Sequence, residues 1–420
     1  MKKILLAIAV VGMITTANAQ QKNIQSALNS LRNKEYKDAV EFIDLAIKDP
    51  STQSNPKAWA TRGQIYLAMD QDPGYADKDH YKEAIASYIK VMELKPNYEK
   101  EQVNQNLMYG AYKAFNQSVV AYNSKKYDVA YEAAKTTVDI HQLEDGKRFA
   151  SEKKFDSLAT DAMVIQAYSA FYSGQLDKAL PVLEKLKDNP IEGKDPSIYM
   201  LIIDAYEKKG NQAKELAALE EARKRFPGNV NLRNKELNFY VRTGQQDKLL
   251  VKLEEAVKSE PNNATYQYNL ANAYTTMAFP KTADGKSGKR PANYDELIAK
   301  AEAGFDKAIA IEPDNIGYHY DMGVLYFNQA SILTDMMNDL PPAEDKKYNE
   351  LKALREEKFN KAHPHLEKIY TTYESKYKSL DADNKFMYRS SLTALREMYA
   401  LQNKLDKAAE MKKKYEEVNK

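Results

Sequence analysis

The sequence predicts an all-α protein, built as an extended array of about nine antiparallel helix pairs. Three observations carry this. The segments ending at Pro227 and Pro261 match each other 34 residues apart. Each copy reads as a helical period, a glycine turn, a second helical period and a proline stop. Alanines and tyrosines then recur at corresponding places along most of the chain. Composition is compatible: 43% of the 420 residues are hydrophobic and 29% charged, too apolar for a disordered chain. With 62 basic and 60 acidic residues the net charge is +2, so no bulk field favours nucleic acid. There is no cysteine, which excludes disulfides, thiolate metal sites and thiol nucleophiles. Tyrosine is abundant, with 30 copies against one tryptophan and five histidines.

The first element reads as an export signal. Met1-Lys2-Lys3 is a positive start, Ile4 to Ile14 is apolar apart from Gly12, and Ala17-Asn18-Ala19 supplies small residues for cleavage before Gln20. Residues 4–14 are too few to span a hydrocarbon core of about 30 Å. The expectation is a mature chain of residues 20–420, periplasmic or secreted, in a Gram-negative-type envelope. It has no lipid anchor, because it has no cysteine, and no transmembrane segment. Losing Lys2 and Lys3 leaves 60 residues of each sign and a neutral mature protein.

The repeat follows. Tyr199–Tyr206, Gly210, Leu219, Ala222 and Pro227 make one copy; Leu237, Tyr240, Gly244, Leu253, Ala256 and Pro261 make the next. Trp59, Gly63 and Tyr66 sit on a first helix, with Ala84, Tyr88, Val91 and Pro96 on its second. In this spacing the chain resembles the tetratricopeptide repeat family. That resemblance implies a right-handed superhelical solenoid whose first helices line a concave groove for extended peptides or partner helices. The second-helix small residue runs through Ala39, Ala84, Ala130, Ala179, Ala301, Ala362 and Ala408, with Glu215 and Leu249 standing in two copies. The first-helix tyrosine recurs as Tyr66, Tyr206, Tyr240, Tyr274, Tyr326 and Tyr399, and turn glycines fall at Gly174, Gly210 and Gly244.

The pattern has a steric cause. Two helices approach closely only where one presents glycine or alanine and the other fills the gap. Each pair buries a face against the next, so a single solenoid over 20–420 is expected rather than separate domains. Pro181 and Pro364 interrupt second helices; Asp177 and Asn360 as N-caps would place each proline in a first turn. Spacing locates three insertions, near 70–80, 275–293 and 327–361. The last reads as a projecting hairpin: Asn328–Asn338 outward, Leu340-Pro341-Pro342 as the turn, Glu344–Lys361 returning. On it Ile332, Leu333, Met336 and Met337 face Leu351, Leu354 and Phe359, either as self-packing or as a methionine-rich contact tip.

Catalytic signatures are missing. The basic loop 281–290 has Pro280 where a phosphate-cradling loop needs glycine, and Lys289 where a nucleophile elbow needs one. His363 and His365 point to opposite sides of a helix, and His319 reads as a core histidine. The expectation is a non-enzymatic protein without cofactor or metal. Its groove candidates are Tyr112, Phe115 and Tyr122 in one unit and Tyr168, Phe171 and Tyr172 in the next. Asn234, Asn238 and Asn272 follow as possible partners of a peptide backbone, then Tyr320 and Phe327. The partner is then another protein or peptide, bound by a scaffold or adaptor of the cell envelope. The rival reading is an envelope glycan-binding protein of the same family, for which the aromatics would serve as sugar platforms.

Overall fold

A computed structural model describes residues 21–75, 78–282 and 288–418. The signal segment 1–19 and the cleavage pair Ala19 and Gln20 lie outside these residues, as do 76–77 and 283–287 of the insertions. Among the described residues there are eighteen α-helices, falling into nine consecutive pairs. The chain divides into two compact units, the first ending at Leu232 and the second beginning at Arg233.

The first unit holds α1 (21–32), α2 (Tyr36–Lys48), α3 (Pro56–Gln71), α4 (Tyr81–Leu94) and α5 (Lys100–Asn123). It continues with α6 (Tyr127–His141), α7 (Lys153–Tyr172), α8 (Leu176–Lys187), α9 (Pro196–Lys208) and α10 (Gln212–Arg225). Helix starts follow local chemistry. Asn55 and Asp195 accept backbone N–H bonds at the heads of α3 and α9, each followed by a proline at the first helical position. Gly63 on α3 shows why the repeat demands a small residue: a Cβ there would come 2.6 Å from the ring of Tyr88 on α4. That ring is fully buried, and its hydroxyl accepts a 2.7 Å bond from Asn106 Nδ2. At the insertion after α3, buried Asp70 gathers the Tyr81 backbone N–H, the Tyr109 hydroxyl and the Lys113 ammonium. The 142–152 turn is held by buried Arg148, which donates to Asn104, Glu144 and the Pro96 carbonyl.

The second unit contains most of α11 (Val230–Arg242), then α12 (Gln246–Ser259), α13 (Ala264–Ala278), α14 (Tyr294–Ile311), α15 (Ile316–Asn338), α16 (Asp345–Tyr373), α17 (Ala382–Leu401) and α18 (Leu405–Val418). Gly323 repeats the Gly63 device: a Cβ there would lie 2.8 Å from Leu366 on α16. The second-helix alanines Ala39, Ala84, Ala130, Ala179, Ala301 and Ala362 are all at most 1% exposed. Ala408 is half-buried on the last helix. Glu215 and Leu249, the two departures, are buried all the same.

Two details differ from the sequence reading. Gln175, not Asp177, precedes α8, and α16 runs unbroken through Asn360, so neither proline sits in a first turn. Pro181 and Pro364 are tolerated because the carbonyls they leave unpaired, four residues earlier, belong to the exposed residues Asp177 and Asn360. The turns also need less glycine than expected. Gly174, Gly210 and Gly244 take φ of 78°, 66° and 68°, but Lys34, Lys125 and Asn403 adopt the same left-handed geometry in three equivalent turns.

Candidate interaction surfaces

In the first unit Tyr122, Tyr168, Phe171 and Tyr172 come together, joined by Tyr127 from the start of α6. Ring centroids step from Tyr122 to Tyr127 at 5.7 Å, to Tyr172 at 5.6 Å, and on to Phe171 at 5.5 Å and Tyr168 at 6.3 Å. Most of these pairs meet edge-on or tilted, as aromatic quadrupoles prefer. Phe171 is buried, with Lys208 Nζ 4.3 Å above its ring, and thus belongs to the packing rather than to an open groove. Tyr168 is half-buried, and burial first, then Asp195 and the neighbouring tyrosines, pushes its hydroxyl up to about 12. Tyr172 is half exposed. Tyr112 is also exposed but sits apart, 6.5 Å from Phe155. Phe115 is half-buried, in no ring pair among the described residues. These rings mostly fill the space between one another.

The asparagines of the second unit are partly occupied. Asn234 Oδ1 accepts from the Tyr266 hydroxyl at 3.0 Å. Asn272 Nδ2 donates to Asp321 Oδ2, which also accepts from the Tyr268 hydroxyl. Asn238 is exposed. Each engaged amide keeps only one of its two polar ends for another molecule.

Tyr320 and Phe327 open onto something different. On α15, Tyr320, Val324 and Phe327 are spaced i, i+4, i+7 and share a face. On α17, Phe386, Arg389, Ser390, Thr393 and Glu397 fall on a face by the same rule. Between the two faces lies a cleft of about 460 Å³, floored by Leu366 and flanked by Tyr415. Beside the cleft, the Tyr320 ring lies 6.4 Å edge-on from Phe386. Burial pushes its hydroxyl pKa up, against the opposing pull of the Ser390 hydrogen bond. Phe386 is 56% exposed, which for a phenylalanine on a well-packed helix requires a reason. The sequence reading missed Phe386, Arg389 and Tyr415. The signal was there: Phe386 lies off the buried stripe of Tyr388, Leu392, Leu395 and Tyr399.

The histidines form no metal cluster among the described residues. His319 is buried as expected, but it meets His365 with Nδ1 atoms 2.9 Å apart, while its Nε2 donates to the Pro313 carbonyl at 2.9 Å. Burial first, with the His319 ring and the Lys368 cation adding to it, lowers the His365 pKa to about 4. His363 faces elsewhere, with Nε2 2.7 Å from the Tyr399 hydroxyl. No described helix is long and apolar enough to cross a membrane.

Successive helix pairs, locked by a small residue against a large one, define a helical-repeat protein whose exposed features are apolar and aromatic clefts. Over part of its length the chain is similar to one such family: the family model described as Tetratricopeptide repeat matches residues 150–283. Solved structures of such repeats are similar to it. MamA residues 41 to the end, from Desulfovibrio magneticus RS-1, is 18% identical; the match covers 47% of this chain and 96% of that one, at TM-score 0.31. YrrB, described as a repeat protein of this family with an unusual peptide-binding site, is 16% identical over 56% of this chain and 97% of its own, at 0.32. PilW, a type IV pilus biogenesis factor, is 14% identical over 60% and 98%, at 0.28. No curated protein sequence matches the chain.

Proposed function

We propose that this protein is an exported, non-enzymatic scaffold or adaptor of the cell envelope, and that it holds a peptide or helix of another protein in the cleft between α15 and α17. The carrying observation is Phe386, exposed at the mouth of a cleft of about 460 Å³ that has aromatic walls and a charged group of each sign. A cleft of this size takes one or two apolar side chains of a bound segment. Arg389 and Glu397 would align the polar groups flanking them, fixing register more than adding affinity.

The export signal at 1–19 supports an envelope location, and the absence of a catalytic motif from the sequence supports a binding role. A glycan-binding role receives less support. Sugar platforms require open ring faces, whereas the tyrosines of the first unit spend theirs on one another. The sole tryptophan, Trp59, is half-buried and donates its indole N–H to the Gln53 carbonyl at 2.8 Å.

The test is affinity capture from envelope extract with the mature chain and with Phe386→Ser. The proposal expects a specific partner that the variant loses, a cost of at least about 2 kcal/mol at a central aromatic anchor. An unchanged partner set with the variant would refute the cleft. Retention on a glycan array that depends on Phe386 would favour the rival.

A further inference from the structure

We propose that the root of the projecting hairpin is a second docking site, which takes an acidic amphipathic helix of a partner protein. Helices α14, α15 and α16 enclose a cavity of about 520 Å³ there. Its apolar lining is Ile298, Ile332, Leu333, Met336, Leu351 and Leu354. Self-packing of the hairpin already uses Met337, Leu351 and Phe359, all at most 5% exposed. Met336 and Leu354 are left over, 38% and 47% exposed, and Tyr348 is 44% exposed on the same arm. Three large apolar side chains on one projection are more than the hairpin needs for its own stability. A flexible thioether beside a leucine suits apolar side chains inserted from another helix.

Charge decides which helix. Arg290 lines the cavity with its guanidinium 4.9 Å above the Tyr294 ring and 4.0 Å from Met336 Sδ, and pairs with no carboxylate among the described residues. A guanidinium stacked on an aromatic is pre-oriented, leaving its N–H edge available for a carboxylate. Of the two lining carboxylates, Glu302 already has Lys358 at 3.7 Å and accepts from Gln329, which leaves Asp295. Lys347, also lining, is half exposed and among the described residues is held by a 3.8 Å surface contact to Glu350, worth little in water. Lys281 and Arg290 line the adjoining cavity of about 580 Å³, on the other side of Ile332, against a single carboxylate there, Asp335. Across both cavities Lys281, Arg290, Lys347 and Lys358 face Asp295, Glu302 and Asp335, and with Lys358 and Glu302 engaged with each other the cations keep a surplus of one around an apolar floor. It fits leucines flanked by glutamates, and disfavours a basic helix by like-charge repulsion.

The probe is a fluorescent synthetic helix with leucines at i, i+3, i+4 and i+7 and glutamate elsewhere, titrated against the full chain by anisotropy. A twin peptide carries lysine for glutamate. The glutamate peptide is expected to bind about tenfold tighter than its twin. Leu354→Ser and Arg290→Glu should each weaken it about tenfold at unchanged Tm, because both residues are exposed, and Phe386→Ser should leave it unchanged. Equal binding of the two peptides, indifference to both hairpin variants, or no binding overturns the proposal. Loss of binding in Phe386→Ser alone also overturns it, and leaves the α15–α17 cleft standing. Leu354-dependent binding to phosphatidylglycerol vesicles that the peptide does not displace would overturn it in favour of a lipid surface.

Discussion

The tyrosine cluster of the first unit and the α15–α17 cleft of the second are made of the same materials and end differently. Both place aromatic residues on first helices at turn-length spacing. In the first unit, Tyr127 from the following helix reaches into the group, and each ring covers its neighbours at 5.5 to 6.3 Å. In the second, Phe327, Phe386 and Tyr415 line a volume of about 460 Å³ that stays open. Aromatic content therefore does not mark a binding surface. On the proposal above, what marks it is aromatic surface left open within its own unit.

The comparison is sharpened most by Phe171→Ala. Phe171 is 6% exposed, so truncation should cost about 3 kcal/mol and lower Tm with partner capture intact below the transition. An unchanged Tm would return Phe171 to the groove. Next comes Phe386→Ser, at about 2 kcal/mol in partner affinity with stability shifted by less than about 0.5 kcal/mol. Loss of both together, followed by chemical denaturation, would make Phe386 a core residue. Tyr172→Ala should be smaller, below about 1 kcal/mol in stability, since the ring is half exposed and loses only edge contacts.

The last prediction is specific to the second unit. Because the His365 pKa is depressed to about 4 in the fold, from an unfolded value near 6.5, the unfolded chain binds the extra proton between those values. Stability carried by neutral His365 is present above pH 6.5 and is lost as pH falls towards 4. Tm of His365→Gln should therefore vary less with pH across that window than Tm of the native chain. Parallel profiles would mean that folding leaves the His365 pKa at its unfolded value.

Much of this fold was legible in the sequence. Gly63 against Tyr88 and Gly323 against Leu366 are contacts that repeat spacing alone could name, because close helix crossing leaves few residue choices. Turns were legible less completely: Lys34, Lys125 and Asn403 occupy left-handed conformations expected of glycine, each donating its backbone N–H to the carbonyl three residues earlier. Pro364 misled for a related reason. A single missing N–H on a water-facing turn does not end a helix that both neighbours pack against. The site was legible only in part. Tyr320 and Phe327 were found because they share a face, but Phe386 and Arg389 lie in the last repeat, where the motif carries no signal for outward residues. Conversely, Tyr127 opens a second helix, so nothing in first-helix spacing warned that it would close the space beside Tyr122 and Tyr172. The His319–His365 contact joins residues 46 positions apart and leaves no local trace.

The central claim is that contact with a partner runs through the open cleft and not through the packed tyrosines. Photo-crosslinking in the producing cells tests it most directly, with p-benzoylphenylalanine installed singly at position 386 and at position 172. The account predicts a discrete protein adduct from 386 and none of comparable yield from 172. An adduct from 172 with none from 386 would contradict it.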